Sequence, residues 1–251
     1  MSFLEVLAIA AAGVLAGAIN TLVGSGTLIT FPVLLAFGYA PVAANVANSV
    51  GLVPGAVSGA IGYRRELAGQ TRRALRLGVC SLLGGAAGAV LLLVLPGSTF
   101  KAVVPVCIVI ALVMTVTQPR LKRWLSSREI ELESSAAMLV PVLVFATGVY
   151  GGYFGAAQGI LLLAVLGVGL AQDLQRSNAL KNVLVGTADG VAAIYFAFAV
   201  HVHWAAALIV ALGAIAGAQL GARYGRRLPP QALRGLIVVV GLAAIAHLLS
   251  S

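Results

Sequence analysis

The chain has 251 residues, of which 61% are hydrophobic and only 9% charged, and its formal net charge is +9. An ordinary soluble domain carries roughly 25% charged residues, so this composition excludes a soluble globular protein and points to an all-α polytopic membrane protein. The positive balance does not imply nucleic acid. The basic residues stand in short clusters between apolar runs, as loops do when they face an anionic cytoplasmic leaflet, and they offer no soluble basic surface of useful size.

The N-terminus, MSFLEVLAIAAAG, has an acid at Glu5 and no basic region, so the first hydrophobic segment reads as an uncleaved span. Residues 6–63 contain no charge, which is room for about three helices at ~20 residues per crossing. Breaks at Gly24, Ser25, Gly26, Pro32 and Pro41 divide them into spans near 4–22, 27–38 and 42–62. Arg64, Arg65, Arg72, Arg73 and Arg76, with Glu66 as the only acid, form the densest basic loop, placed in the cytoplasm by the positive-inside rule. A fourth span over 77–100 turns at Pro96-Gly97, and a fifth covers 102–118. Arg120, Lys122, Arg123 and Arg128, with Glu129, Glu131 and Glu133, make a polar linker over 119–135 that separates repeats over 1–118 and 136–251. The second repeat opens with an uncharged run, 134–172, broken around 151–159. A span over 176–199 follows, with Arg176 at its mouth and Lys181 and Asp189 within it. His201-Val202-His203 is an uncharged turn, 204–222 crosses again to a basic loop of Arg223, Arg226, Arg227 and Arg234, and 235–251 is the last span. Cys80 and Cys107 lie in apolar spans without metal spacing and read as packing residues.

Sliding the chain by 133 positions superposes Gly26 on Gly159, Asn45 on Asn178, Val50 on Val183, Gly84 on Gly217, Gly88 on Gly221 and Leu95-Pro96 on Leu228-Pro229. The loop charges are swapped between the halves: the Arg-rich loop after the third span corresponds to the uncharged 201–203 turn. Two inverted repeats of about five membrane segments explain that swap, because an odd number of crossings reverses direction and leaves both termini outside. The segments over 27–38 and 159–170 are short enough to be re-entrant, which makes eight full spans the alternative count.

The Gly-rich break before an apolar run ending in Pro (GSGTLITFP), the following PVAANVANSVGLVPGA, and NALKNVL ahead of a Gly-rich helix and a basic LPP loop resemble the sulfite exporter TauE/SafE family of anion permeases across essentially the whole chain. The resemblance implies duplicated membrane repeats and transport of a small anion such as sulfite, a sulfonate or sulfoacetate. Ser25, and Ala156-Ala157-Gln158 in the second half, replace the family's commoner run of glycines.

The residues carry a site of their own. On a helix beginning near Gln175, the 3.6-residue period puts Asn178, Lys181, Asn182 and Asp189 on one stripe, and Asn45, Asn48 and Ser49 form its counterpart in the first repeat. Two such stripes facing across a pseudo-two-fold axis enclose a cavity near the midplane. Lys181 supplies a cation within a span. The interrupted segments add Asn20, Ser25, Thr27 and Gln158, with half-helix N-termini whose amides and dipoles favour an anion. Asp189 is the candidate for coupling to protons or another ion. No metal or cofactor is expected, and a homodimer in the inner (cytoplasmic) membrane fits the class. The alternatives are specific: Lys181 snorkelling to the headgroups, Asn residues serving only as glue between helices, Asp189 as a structural acid, and a metal at His201 and His203. At the level of function, an anion channel is the rival to a secondary transporter. An enzyme is not expected, because HExxH and GxSxG are absent.

Overall fold

A computed structural model describes residues 1–126, 134–170, 172–224 and 230–250, and among them the only regular elements are ten helices. The first half holds α1 (Phe3–Leu22), α2 (Thr27–Ala36), α3 (Pro41–Gly62), α4 (Thr71–Val94) and α5 (Gly97–Ser126). The second holds α6 (Ser134–Tyr153), α7 (Gln158–Gly169), α8 (Leu174–Ala199), α9 (Trp204–Tyr224) and α10 (Pro230–Ser250). By length and apolarity, α1, α4, α5, α8 and α9 can each cross a bilayer. Ser2 and Glu5 form a capping box that starts α1.

Several boundaries differ from the sequence expectation, among them the starts of α5 at Gly97 rather than 102 and of α10 at Pro230 rather than 235, which takes Arg234 into the helix. Helix α4 begins at Thr71 rather than 77, so Arg72, Arg73 and Arg76 sit on its first turns instead of in a loop. Helix α5 runs on to Ser126, carrying Arg120 and Arg123 into the expected linker. The α5 extension continues through Pro119, and in both helices the chain stays helical where the charges can leave the apolar layer and remain hydrated. Arg128, Glu129, Glu131 and Glu133, like Arg226, Arg227 and Leu228-Pro229, lie outside the described residues.

Contacts at the two ends of the bundle fix the helix directions. At one end the Tyr39 hydroxyl donates to Glu5 Oε1 at 2.9 Å, and its ring lies 5.0 Å from that of His203. Hence α1 begins, α2 ends and α9 begins there. At the other end Arg73 donates to Gln172 Oε1 at 2.8 Å and Arg176 to the Ala68 carbonyl at 3.2 Å. Val140 and Pro141 of α6 and Leu170 after α7 share a cavity with those arginines. The α6–α7 hairpin therefore enters from the opposite end to α1–α2, and the repeats are inverted. With 10 and 12 residues, α2 and α7 span about 15 and 18 Å, roughly half of a ~30 Å hydrocarbon layer. Both are half-helices.

The halves are interlocked rather than adjacent. Helix α1 packs on α9 and α6 on α4, α3 packs on α9 and α8 on α4, and α3 meets α8 at the centre. Small residues make the two closest interfaces possible. A Cβ at Gly84 would strike the Phe145 carbonyl of α6, and one at Gly217 would strike the Val14 carbonyl of α1. Buried side-chain hydrogen bonds repeat the relation: Ser58 of α3 donates to the Ile215 carbonyl of α9 at 3.2 Å, and Ser81 of α4 to the Leu184 carbonyl of α8 at 2.7 Å.

Candidate functional site

The centre of the molecule is the pair of helix breaks. In the first, the Val23 and Gly24 amides both donate to the Ile19 carbonyl, at 2.7 and 3.1 Å. In the second, the Phe154 and Gly155 amides both donate to Tyr150, at 2.9 and 3.0 Å. Gly24 and Gly155 follow with φ of +89° and +76°, a conformation in which glycine avoids the Cβ penalty. These correspondences run at an offset of 131, whereas Asn45 and Asn178 keep 133. The extra two residues of α7 account for the change. The expected superposition of Gly26 on Gly159 is thereby corrected: Gly26 caps α2 as Ala157 caps α7, and Ala157 holds φ +60° without being glycine. The breaks touch, the Gly159 amide donating to the Gly24 carbonyl at 3.1 Å. A side chain on either glycine would collide with the other's backbone.

A helix that stops inside a bundle leaves carbonyls that need donors. Each repeat supplies them to the other. Asn45 of α3 donates from Nδ2 to the Tyr153 carbonyl that ends α6, at 3.0 Å, and Asn178 of α8 donates to the Thr21 carbonyl near the end of α1, at 3.2 Å. Lys181 is fully buried. Its Nζ donates to the Asn20 and Thr21 carbonyls at 2.9 and 3.2 Å, and its stem runs past Gly159 in the first turn of α7. This placement corrects the snorkelling alternative, because the ammonium turns inward to the negative end of the α1 dipole. The position equivalent to Lys181 in the first half is Asn48, whose Nδ2 donates to Thr27 Oγ1 at 3.3 Å while its Oδ1 accepts from Thr30. One repeat has a cation where the other has an amide.

The remaining expected residues separate by position. Ser25, Thr27 and Gln158 are buried at the breaks, Ser49 and Asn182 are buried on α3 and α8 with Asn182 lining the cavity between those helices, and the Asn20 side chain accepts from the Gly26 amide at 3.5 Å. Among the described residues, Ser25 Oγ, Gln158 Nε2 and Asn182 Nδ2 are buried without a hydrogen-bond partner, as are the Oδ1 atoms of Asn45 and Asn178. Buried polar groups are rarely left so, and the first three can donate to a ligand. Asn45 and Asn178 cannot do so with the same geometry, since their amide groups are turned to carbonyls. Asp189 is not brought to the breaks. It is half-buried on α8, about 12 Å along the axis from Lys181.

Access differs between the two ends. Towards the Glu5–His203 end, the rings of Phe31, Phe100, Phe154 and Tyr153 interlock edge to face, with Phe31 and Phe154 centroids 5.2 Å apart. Towards the arginine end, a cavity of about 430 Å³ between α3 and α8 runs from Arg64 and Ile61 to Asn182 and Gly186. A smaller one of about 50 Å³ joins Tyr63 and Gln175 to Asn178. Thr30, Tyr63, Tyr153 and Gln175 escape the sequence reading, because nothing in the period of a helix distinguishes a polar residue at a break from one at a helix end.

Comparison with known proteins agrees with this architecture. The model of the family described as sulfite exporter TauE/SafE matches residues 9–248. "Probable membrane transporter protein ORF9" of Sinorhizobium sp is 27% identical over 241 residues, covering 95% of this chain and 90% of that protein. "Probable membrane transporter protein YfcA" of Escherichia coli K12 is 24% identical over 239 residues, 94% of this chain and 86% of that one. A "probable membrane transporter protein" of Haemophilus influenzae is 24% identical over 236 residues, 94% and 91% of the two chains. No solved structure matches. With inverted repeats and broken helices meeting at its centre, the chain is a multi-pass membrane protein that belongs to the sulfite exporter TauE/SafE family of membrane transport proteins.

Proposed function

We propose that this protein is a secondary transporter that moves a small anion, such as sulfite, a sulfonate or a related organic anion, across the cytoplasmic membrane by alternating access. The observation that carries this reading is the Lys181 ammonium, fully buried between the end of α1 and the first turn of α7. A buried cation beside a half-helix N-terminus forms a positive centre, and the donors of Ser25, Gln158 and Asn182 are polar partners for oxyanion oxygens. A cation substrate would want carboxylates, and the breaks bring none of the described ones together. The inverted repeat supports alternating access. The cavity ending at Asn182 is the approach from the cytoplasm, and the Phe31–Phe100–Phe154 cluster is the closed outer gate.

The arginine-rich end is cytoplasmic under the positive-inside rule. The membrane potential is worth roughly 2.3 kcal/mol per charge at 100 mV, so a doubly charged anion leaves an inside-negative cell downhill without a coupled ion, whereas uptake requires one. Flux of sulfite, taurine, sulfoacetate and acetate in proteoliposomes tests the proposal. A carrier gives saturable flux with at least one of these anions. An ohmic current that does not saturate identifies a channel instead, and flux no greater than in empty liposomes for all four refutes the assignment.

A further inference from the structure

A basic cavity lies away from the breaks. A cavity of about 630 Å³ at the arginine end is lined by Arg72, Arg73 and Arg76 on the first turns of α4, Arg176 on α8, and the apolar side chains of Val140 and Leu170. Among the described residues no carboxylate lines it. The nearest acid in sequence to Arg176 is Asp173, whose Oδ1 is committed to the Gln175 and Arg176 amides that start α8, at 2.8 and 2.9 Å. Two of the guanidinium groups are fixed by the protein, Arg73 to Gln172 Oε1 and Arg176 to the Ala68 carbonyl. Arg72 and Arg76, one helical turn apart on the same face, have no hydrogen bond or ion pair with a described residue. Four like charges gathered in one concavity repel one another, and an anion placed among them removes that cost.

The shape of the site narrows the anion. Its basic wall belongs to the end of the bundle, where headgroups lie, while Leu77, Val140, Pro141 and Leu170 form an apolar wall below it. The same two helices turn Leu75, Val79, Leu139 and Val142 outward beside the cavity, on the surface that faces hydrocarbon. A free phosphate or sulfate would fill a small part of this volume and gain nothing from the apolar wall. A phosphodiester carrying acyl chains uses both, with bidentate guanidinium contacts at the headgroup and the chains lying along α4 and α6. We propose that this cavity is a binding site for an anionic phospholipid of the cytoplasmic leaflet, its phosphate held by Arg72 and Arg76 and its chains against the α4–α6 surface. Occupancy ties the α7–α8 link, through Gln172 and Arg176, to the start of α4.

The test is native mass spectrometry and thermal unfolding of the purified full-length protein in detergent, titrated separately with phosphatidylglycerol, phosphatidylcholine and inorganic phosphate. Phosphatidylglycerol should bind discretely and raise Tm, phosphatidylcholine and inorganic phosphate should not, and the double variant Arg72→Gln/Arg76→Gln should bind phosphatidylglycerol roughly 10-fold or more weakly. A second double variant, Arg65→Gln/Arg223→Gln, removes the same charge outside the cavity and should keep wild-type binding. Equal stabilisation by inorganic phosphate overturns the lipid assignment in favour of a soluble oxyanion. Equal binding by wild type and the Arg72/Arg76 variant, or equal loss in both double variants, overturns the site.

Discussion

At the residue scale, the central asparagines hold the broken helices together, and this role separates them from Lys181. Asn45 and Asn178 each close an open carbonyl at the end of the opposite repeat's first helix. Replacing Asn45 with Ala leaves the Tyr153 carbonyl buried and unpaired, at a cost of about 1–3 kcal/mol, whereas the Thr21 carbonyl keeps the Lys181 ammonium as a donor when Asn178 is replaced. Asn45→Ala should therefore lower the unfolding temperature in detergent by more than Asn178→Ala, and a larger drop in Asn178→Ala, or none in Asn45→Ala, would refute the exchange of caps. Asp189 is tested differently, because it lies away from the breaks. If its carboxyl carries a coupling proton, Asp189→Asn abolishes the dependence of accumulation on the pH gradient while leaving anion exchange intact; unchanged coupling removes it from the mechanism. The polar stripe of α8 was legible from its period alone, and so was the presence of a cation within a span. The partners were not legible, since Lys181 and Asn178 act on carbonyls some 160 positions earlier in the chain, and a backbone carbonyl has no sequence signature.

At the element scale, the breaks were visible as glycines and prolines interrupting apolar runs, and α2 and α7 were recognisable as too short to cross. The register between the repeats was read less well. Glycine is so frequent here that an ungapped offset of 133 matched Gly26 to Gly159, although the hydrogen bonds of the breaks align at 131 and the longer α7 restores 133 at Asn178. The close helix pairs make a sharper prediction. Gly84 and Gly78 both lie in α4, yet a Cβ at Gly84 meets the Phe145 backbone while one at Gly78 meets nothing within 4 Å. Gly84→Ala should destabilise the protein by on the order of 1–3 kcal/mol, because a backbone atom cannot swing aside, and Gly217→Ala should do the same at the α1–α9 pair. Gly78→Ala should be neutral or mildly stabilising. Equal unfolding temperatures for Gly84→Ala and Gly78→Ala would contradict the packing.

At the scale of the whole molecule, the swap of loop charges between halves was enough to infer inversion, because charge decides which loops stay in the cytoplasm. The interlocking of the halves was not, because Gly and Ala stripes occur on almost every helix and do not say which pairs with which. The topology has its own test. In a background with Cys80 and Cys107 replaced, His203→Cys should react with an impermeant thiol reagent added outside, and Arg65→Cys only with reagent added inside. The reverse pattern would overturn the orientation.

The central claim is that a buried lysine between two broken helices binds the transported anion. Equilibrium binding of sulfite and sulfoacetate to purified wild-type and Lys181→Gln proteins tests it most directly, with each protein first shown to be monodisperse and cooperatively folded. A direct charge-assisted contact contributes on the order of 1.5–3 kcal/mol, so affinity for the preferred anion should fall at least ~10-fold in Lys181→Gln. Wild-type affinity in a folded Lys181→Gln protein would show that the ammonium serves only to cap α1.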